Sequence, residues 1–217
     1  MKETGIIMST PMMIADLKKT KTQTRRTWGL TDINIHPNDW QLVVVFQDGL
    51  ARFYNKTIDV ERTVKCPYGG VGDLVWLKES LKKKPDYSWC KEGYAIYVAN
   101  GEQVLIGGAG INEGVPWQWK RDILTGMFMP RWANRKSHIL SNIRCERVQS
   151  ITNDDAFKEG MTRQLASQLG LSLSPSEEEF NFTQTKRTYQ YLWDSLNAGR
   201  GYPWSKNNWV FVLEWKE

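Results

Sequence analysis

The sequence predicts an α+β fold, in one domain spanning residues 1–217. Three observations carry that expectation. Short apolar segments of alternating pattern are joined by tight-turn pairs, as strands are. Capped helical segments are scattered among them. The two kinds do not recur in the strand–helix–strand spacing of a doubly wound sheet.

The elements follow in order. Residues 5–8, GIIM, form an apolar run that ends in Ser9-Thr10-Pro11. Thr10 suits a helix N-cap and Pro11 the first turn, so the spacing predicts a helix over about 11–19, with Met13, Ile14 and Leu17 on one face. QLVVVF and LARFY flank Asp48-Gly49 and predict a hairpin over 41–54. CPYGGVGDLVWLKES places a glycine-rich turn before a strand centred on Leu74–Trp76. YAIYV and VLI bracket Asn100-Gly101, a second hairpin signal. The glycine-rich stretch 107–121 lacks a period and reads as a surface loop or insertion.

HILSNIRCERVQSI, 138–151, alternates as a strand does. Thr152, followed three residues later by Asp155, opens a short helix that Gly160 stops. SPSEEEF starts another helix, and TYQYLWDSLNAG, 188–199, is a strong one closed by Gly199. NNWVFVLEW, 207–215, is a last apolar strand. No internal repeat or linker interrupts the series.

Composition excludes several classes. A chain that is 41% hydrophobic with eleven Trp is not a disordered one. No apolar run reaches the roughly 18 residues of a membrane span. The segment MKETGIIMSTPMMIADLKK lacks the apolar core of a signal peptide. Cys66, Cys90 and Cys145 are odd in number and show no CxxC spacing, which argues against a disulfide framework and a structural zinc. The expectation is a soluble, reduced, intracellular protein. The net charge of +5 admits anionic partners as readily as an ordinary solvated surface.

Motifs narrow the chemistry further. There is no GxxxxGK[ST] and no GxGxxG opening a helix, so neither a P-loop nor a Rossmann cofactor site is expected. His36 and His138 are far apart and accompany no GxSxG, so neither a histidine metal site nor a Ser-His-Asp triad is indicated. No metal and no cofactor is expected, and a catalytic base would be a lysine or a carboxylate. KTQTRR is the densest segment, with Lys21, Thr22, Thr24, Arg25 and Arg26 within six residues. It reads either as a polar connection with solvated charges or as a hydroxyl nucleophile beside an amine that burial deprotonates. Arg25 or Arg26 would then hold a phosphate or a carbonyl. Two aromatic and basic runs add Arg131, Trp132, Arg135 and Lys136, and Tyr202, Trp204 and Trp209. Most of these tryptophans read as core fillers; Trp132, between basic residues, is the stacking candidate.

Five segments, IIMSTPMMIADLKKTKTQTRR, CPYGGVGDLVWLKES, FMPRWANR, VQSITNDDAFKEGM and YLWDSLNAGRGYPWSKNNWVFVLEW, run in that order through nearly the whole length of the chain. In them the chain resembles the ASCH-domain proteins, in particular the longer form common in phages and prophages. The resemblance implies a PUA-like β-barrel with helices around a cleft, here with insertions at about 30–65 and 80–130. Strands near 41–54, 72–78, 138–150 and 208–215 are expected to build the barrel, with KTQTRR lining the cleft. It also implies a cytoplasmic protein, in the host cytoplasm if phage-encoded, whose partner is a modified nucleoside or RNA.

Activities in that family differ. One small bacterial member is an amidohydrolase that removes the acetyl group from N4-acetylcytidine; others bind RNA or cleave it. The amidohydrolase's Lys-x-x-Thr pair falls on Lys21 and Thr24 and its later Glu on Glu159. The resemblance thus implies a Thr24 nucleophile, a Lys21 base and a Glu159 proton shuttle, and the basic and aromatic runs suggest Arg25, Arg26, Arg131, Trp132 and Arg135 as a substrate-binding rim. The chain departs from that enzyme in its greater length and in Arg25, which replaces an apolar position. A glutamate at a helix C-terminus opposes the macrodipole by about 0.3–1 kcal/mol, which asks for another reason for Glu159. A non-catalytic RNA reader and a ribonuclease are the alternative expectations, and the oligomeric state is open.

Overall fold

A computed structural model describes residues 1–84, 93–107, 116–172 and 176–216, excluding the side chains of 181–183. Cys90 and most of the expected 107–121 loop lie outside them. The fold is α+β. Twelve strands are β1 (Glu3–Ile7), β2 (Gln23–Arg26), β3 (Trp40–Val45), β4 (Leu50–Asn55), β5 (Val60–Lys65), β6 (Leu74–Lys78), β7 (Leu81–Lys83), β8 (Tyr94–Tyr97), β9 (Gln103–Leu105), β10 (Ile123–Leu124), β11 (Ser137–Arg147) and β12 (Trp209–Trp215). Five α-helices are α1 (Thr10–Leu17), α2 (Asn153–Lys158), α3 (Arg163–Gln168), α4 (Glu177–Thr183) and α5 (Thr185–Asn197). None of the described helices is long and apolar enough to cross a membrane.

The main sheet has five strands in the order β1-β6-β11-β12-β2. β1 and β6 are parallel; the other neighbours are antiparallel. β12 is central because its run of aromatic and β-branched residues can be buried on both faces: residues 209–213 are all buried. β1 and β2 are the sheet's edges, so no ladder among the described residues closes the expected barrel. The two edges meet through one side chain, Arg26, whose Nη2 donates to the Ile7 carbonyl at 2.7 Å.

The hairpin expected at 41–54 forms, with Gly49 at φ 84 in its turn, but it is not part of the main sheet. β4 already has a partner on each side, β3 and β5, and its backbone has no ladder left to offer. It packs instead by its buried face, where Phe53 meets Trp209 edge-on at 5.2 Å. A third sheet, β10-β7-β8-β9, contains the Asn100-Gly101 hairpin. It has its own apolar cluster around Leu81, Tyr97, Leu124 and Met129, with Trp132 packed against it.

α2 and α5 reach the main sheet through Asp155 and Tyr189 beside Arg25, whereas α1 reaches it through Asp16 against His138. Thr152 caps α2 by accepting from the Asp155 N–H at 3.0 Å. α3, which the sequence reading passes over, is capped in the same way by Thr162. α5 starts earlier than expected, at Thr185, and the left-handed residue after it is Gly201 rather than Gly199.

Candidate functional site

β2 is pinned between the last strand and α2. Antiparallel pairing with β12 sets Thr24 opposite Leu213, and the strand's approach is held by Trp215 N–H donating to the Thr22 carbonyl at 3.0 Å. On the other side, Thr22 N–H donates to the Lys158 carbonyl at 2.9 Å, and Lys21 forms an isolated antiparallel bridge with Glu159. The chain turns directly after this bridge at Gly160, whose φ is +90. A Cβ there would lie 2.7 Å from the Ala15 Cβ and 3.5 Å from the Lys21 Cβ. Glycine is what lets α1, α2 and Lys21 approach one another.

Lys21 is 2% exposed and Glu159 3%. Lys21 Nζ donates to the Gln23 carbonyl at 2.6 Å, to the Glu159 carbonyl at 2.9 Å and to Glu159 Oε2 at 2.9 Å. All three ammonium donors are thereby used. Burial lowers the Lys21 pKa below its ordinary 10.5; Glu159 opposes that shift without cancelling it. The second Glu159 oxygen, Oε1, accepts from Arg25 Nη1 at 3.1 Å, so one carboxylate serves two buried cations.

The network extends along one face of the sheet. Arg25 Nη2 reaches Glu146 at 2.7 Å and Asp155 at 3.2 Å. Arg144 pairs with Glu146 at 3.1 Å, Asp155 at 2.8 Å and Glu214. Gln23 Nε2 donates to the Asp155 carbonyl at 2.7 Å. Burial alone would raise the Asp155 pKa, but Arg25 and Arg144 outweigh it and hold the carboxyl below its ordinary range. Tyr189 of α5 lies beside Arg25, its ring centroid 5.8 Å from the guanidinium carbon. Burial pushes its hydroxyl well above the ordinary tyrosine value.

The registers explain the face. Gln23, Arg25, Asn142, Arg144, Glu146 and Glu214 lie at alternate positions of paired strands, and therefore on one side of the sheet. Thr24 and Arg26 fall on the opposite side, with Leu213 and Phe211. Thr24 is buried, and none of the hydrogen bonds among the described residues involves its hydroxyl. The structure therefore joins Lys21, Arg25 and Glu159 directly and sets Thr24 on the other face of the same short strand.

The remaining candidates occupy different surroundings. Arg26 ties the two sheet edges, and its Nε has no partner among the described residues. Arg131, half-exposed, pairs with Glu3 at 3.2 Å and lies 5.3 Å from the Trp76 ring centroid. Trp132 is partly buried against the third sheet's cluster. Arg135 grips both oxygens of Glu79 at 2.8 Å, reaches Glu102 at 2.6 Å and stacks 3.8 Å from the Tyr97 ring centroid.

Sequence reasoning missed Arg144, Glu146, Asp16 and His138 as members of a site. Asp155 entered only as a helix-start residue. The alternating charges of IRCER were the available signal, since a charged pair spaced by two on a strand shares a face. The described residues contain no cluster of His, Cys, Asp and Glu fit for a metal ion. Comparison with family models, curated proteins and solved structures gives no match to this chain.

Proposed function

We propose that the chain is an ASCH-domain protein of the PUA-like type, its main sheet a barrel left open along one seam. On this reading it works in the cytoplasm as an amidohydrolase on an acylated nucleoside of the N4-acetylcytidine type. The observation that carries the proposal is the Lys21–Glu159 pair: two residues distant in sequence, both buried, meeting at 2.9 Å. Buried ion pairs are costly to desolvate and often stabilise less than apolar residues of the same volume, so the pair asks for a role beyond stability.

The chemistry follows from the groups present. Burial favours the neutral amine of Lys21, and Glu159 Oε2 is placed to take its proton. The neutral amine then accepts the proton of Thr24 as Oγ1 attacks the amide carbonyl carbon. The C–N bond breaks, the leaving amine takes a proton from the Lys21–Glu159 pair, and water hydrolyses the Thr24 ester to release the acid. This sequence requires the substrate to draw the Thr24 hydroxyl and the Lys21 amine together, since they lie on different faces of β2.

A second reading has its own observation. Lys21 spends all three donors inside the protein, which suits a structural ammonium in a non-catalytic RNA-binding module. Chromatography of N4-acetylcytidine and of RNA after incubation separates the two. The hydrolase predicts cytidine and acetate; Lys21→Ala and Thr24→Ala should each abolish the product, and Thr24→Ser should retain part of it. Lys21→Arg should be inactive, because a guanidinium stays protonated. An intact acetyl group with RNA retained by the wild type moves the assignment to the reader.

A further inference from the structure

A groove of about 510 Å³ opens between the end of α1 and the start of β11, with Lys21 in its wall. Its charge is one-sided: Lys19, Lys21, Lys136 and Lys216 line it against a single aspartate, Asp16. Its floor is aromatic. His138 stacks on Trp215 with ring centroids 4.8 Å apart and planes within 16°. His138 Nε2 is in turn hydrogen-bonded to Asp16 Oδ1 at 2.8 Å.

Two polar atoms in these walls are left over. Asp16 and Trp215 are each 3% exposed, yet Asp16 Oδ2 and Trp215 Nε1 have no hydrogen-bond partner among the described residues. One is an acceptor and the other a donor. Buried polar groups are nearly always paired, so these two unpaired atoms mark a wall that is not fully satisfied, although both are closed to water as the groove stands. Lys19, at φ 61, follows the C-cap of α1 in a Schellman-type turn, its N–H donating to the Asp16 carbonyl at 2.9 Å and the Thr20 N–H to the Ala15 carbonyl at 3.0 Å, and this turn places Lys19 in the groove's lining.

We propose that this groove binds the phosphate ester of a nucleotide, with Lys19, Lys136 and Lys216 as the phosphate ligands. The nucleoside part rests on the amidohydrolase reading; the phosphate part does not. Three flexible lysine point charges suit a doubly charged group with three acceptor oxygens, whereas a carboxylate in a fixed fork calls for arginine. It follows that the substrate enters as a nucleotide, free or within a strand, rather than as a bare nucleoside.

The test is isothermal calorimetry on the full chain, with the four common nucleosides, their 5′-monophosphates and a short single-stranded oligonucleotide as probes. At least one monophosphate should bind about tenfold or more tighter than its nucleoside, the gain expected of charge-assisted hydrogen bonds. Lys136→Ala and Lys216→Ala, both at the surface, should each reduce that ratio. Lys19→Gly should reduce it too while raising thermal stability, because glycine suits the backbone there. Tighter binding of the oligonucleotide than of every monophosphate assigns the phosphate to a strand; the reverse assigns it to a free nucleotide. Equal affinity for nucleosides and monophosphates, or a ratio that survives all three substitutions together, overturns the proposal. A phosphate preference without hydrolysis retires the catalytic reading alone, and hydrolysis without a phosphate preference retires the groove alone.

Discussion

Arg25 and Arg135 are both arginines held against buried carboxylates, in clusters of different construction. Arg135 forks onto one carboxylate, Glu79, and lays its flat face on Tyr97; its remaining donor reaches Glu102, which is largely exposed. That cluster closes on itself and ties β6 and β8 to the loop before β11. Arg25 instead shares Glu159 with Lys21 and shares Glu146 and Asp155 with Arg144. Glu159, Glu146, Asp155, Arg25 and Arg144 each have more than one charged partner there. A closed fork serves as a brace, whereas a shared carboxylate can pass a proton or change partner without losing all its bonds. On the function proposed above, chemistry belongs to the Arg25 cluster, and the Arg135 cluster is architecture.

Removing the shared carboxylate should have the largest effect. Glu159→Ala leaves Lys21 buried without its carboxylate and takes one of three from Arg25, and should cost about 3–5 kcal/mol in chemical denaturation. Glu79→Ala should cost less, about 1–3 kcal/mol, because Arg135 keeps Glu102 and Asn100. Burial already raises the Glu79 carboxyl above its ordinary 4.5 in spite of Arg135, so its charged form is held at a cost. Equal losses in the two variants would erase the distinction. Gly160→Ala should fall between or below these, at about 1–3 kcal/mol, from strain at positive φ and the close Ala15 contact.

Acid should separate the clusters by sign. Asp155 is held below its ordinary value, so the unfolded chain binds its proton first as pH falls, and the stability Asp155 contributes at neutral pH is lost below about pH 4. Glu79 is raised, so the folded chain binds its proton first, and protonation relieves a cost as pH falls toward the ordinary value. In denaturation curves between neutral pH and pH 3, Asp155→Asn should flatten the acid loss and Glu79→Gln should steepen it. Identical pH profiles for the two variants would contradict the contrast. Arg131→Ala, at a half-exposed pair outside both clusters, should change stability by less than about 0.5 kcal/mol.

What the sequence disclosed was local. Asp48-Gly49 announced the β3–β4 hairpin, Thr152 announced α2, and the apolar run at 207–215 announced the central strand. Each is a short-range device: a turn needing positive φ, a side chain capping nearby N–H groups, a run too apolar to face water. Pairings between distant segments carry no such mark. Nothing in KTQTRR states that its backbone joins β12 or that Lys21 meets Glu159, and Arg144 looks like any charged residue of a strand. The placement of 41–54 in the main sheet went astray for the same reason: strands are legible, but their neighbours are chosen by which edges stay free. The density of KTQTRR marked Lys21 and Thr24 among other candidates, but their choice as a set with Glu159 came from the family resemblance.

The pairing of β2 with β12 alone in the main sheet also sets a schedule. Arg26 finds its backbone partner at Phe211, and at ordinary synthesis rates that residue leaves the ribosome on the order of ten seconds or more later. Until then β2, with Lys21 beside it, has no strand to lean on, and its polar residues stay in water. The β3–β4–β5 and β8–β9 hairpins close over short loops and need not wait. A growing chain would therefore hold its hairpins folded while the Arg25 cluster is still unassembled, and that cluster would form only as β12 docks.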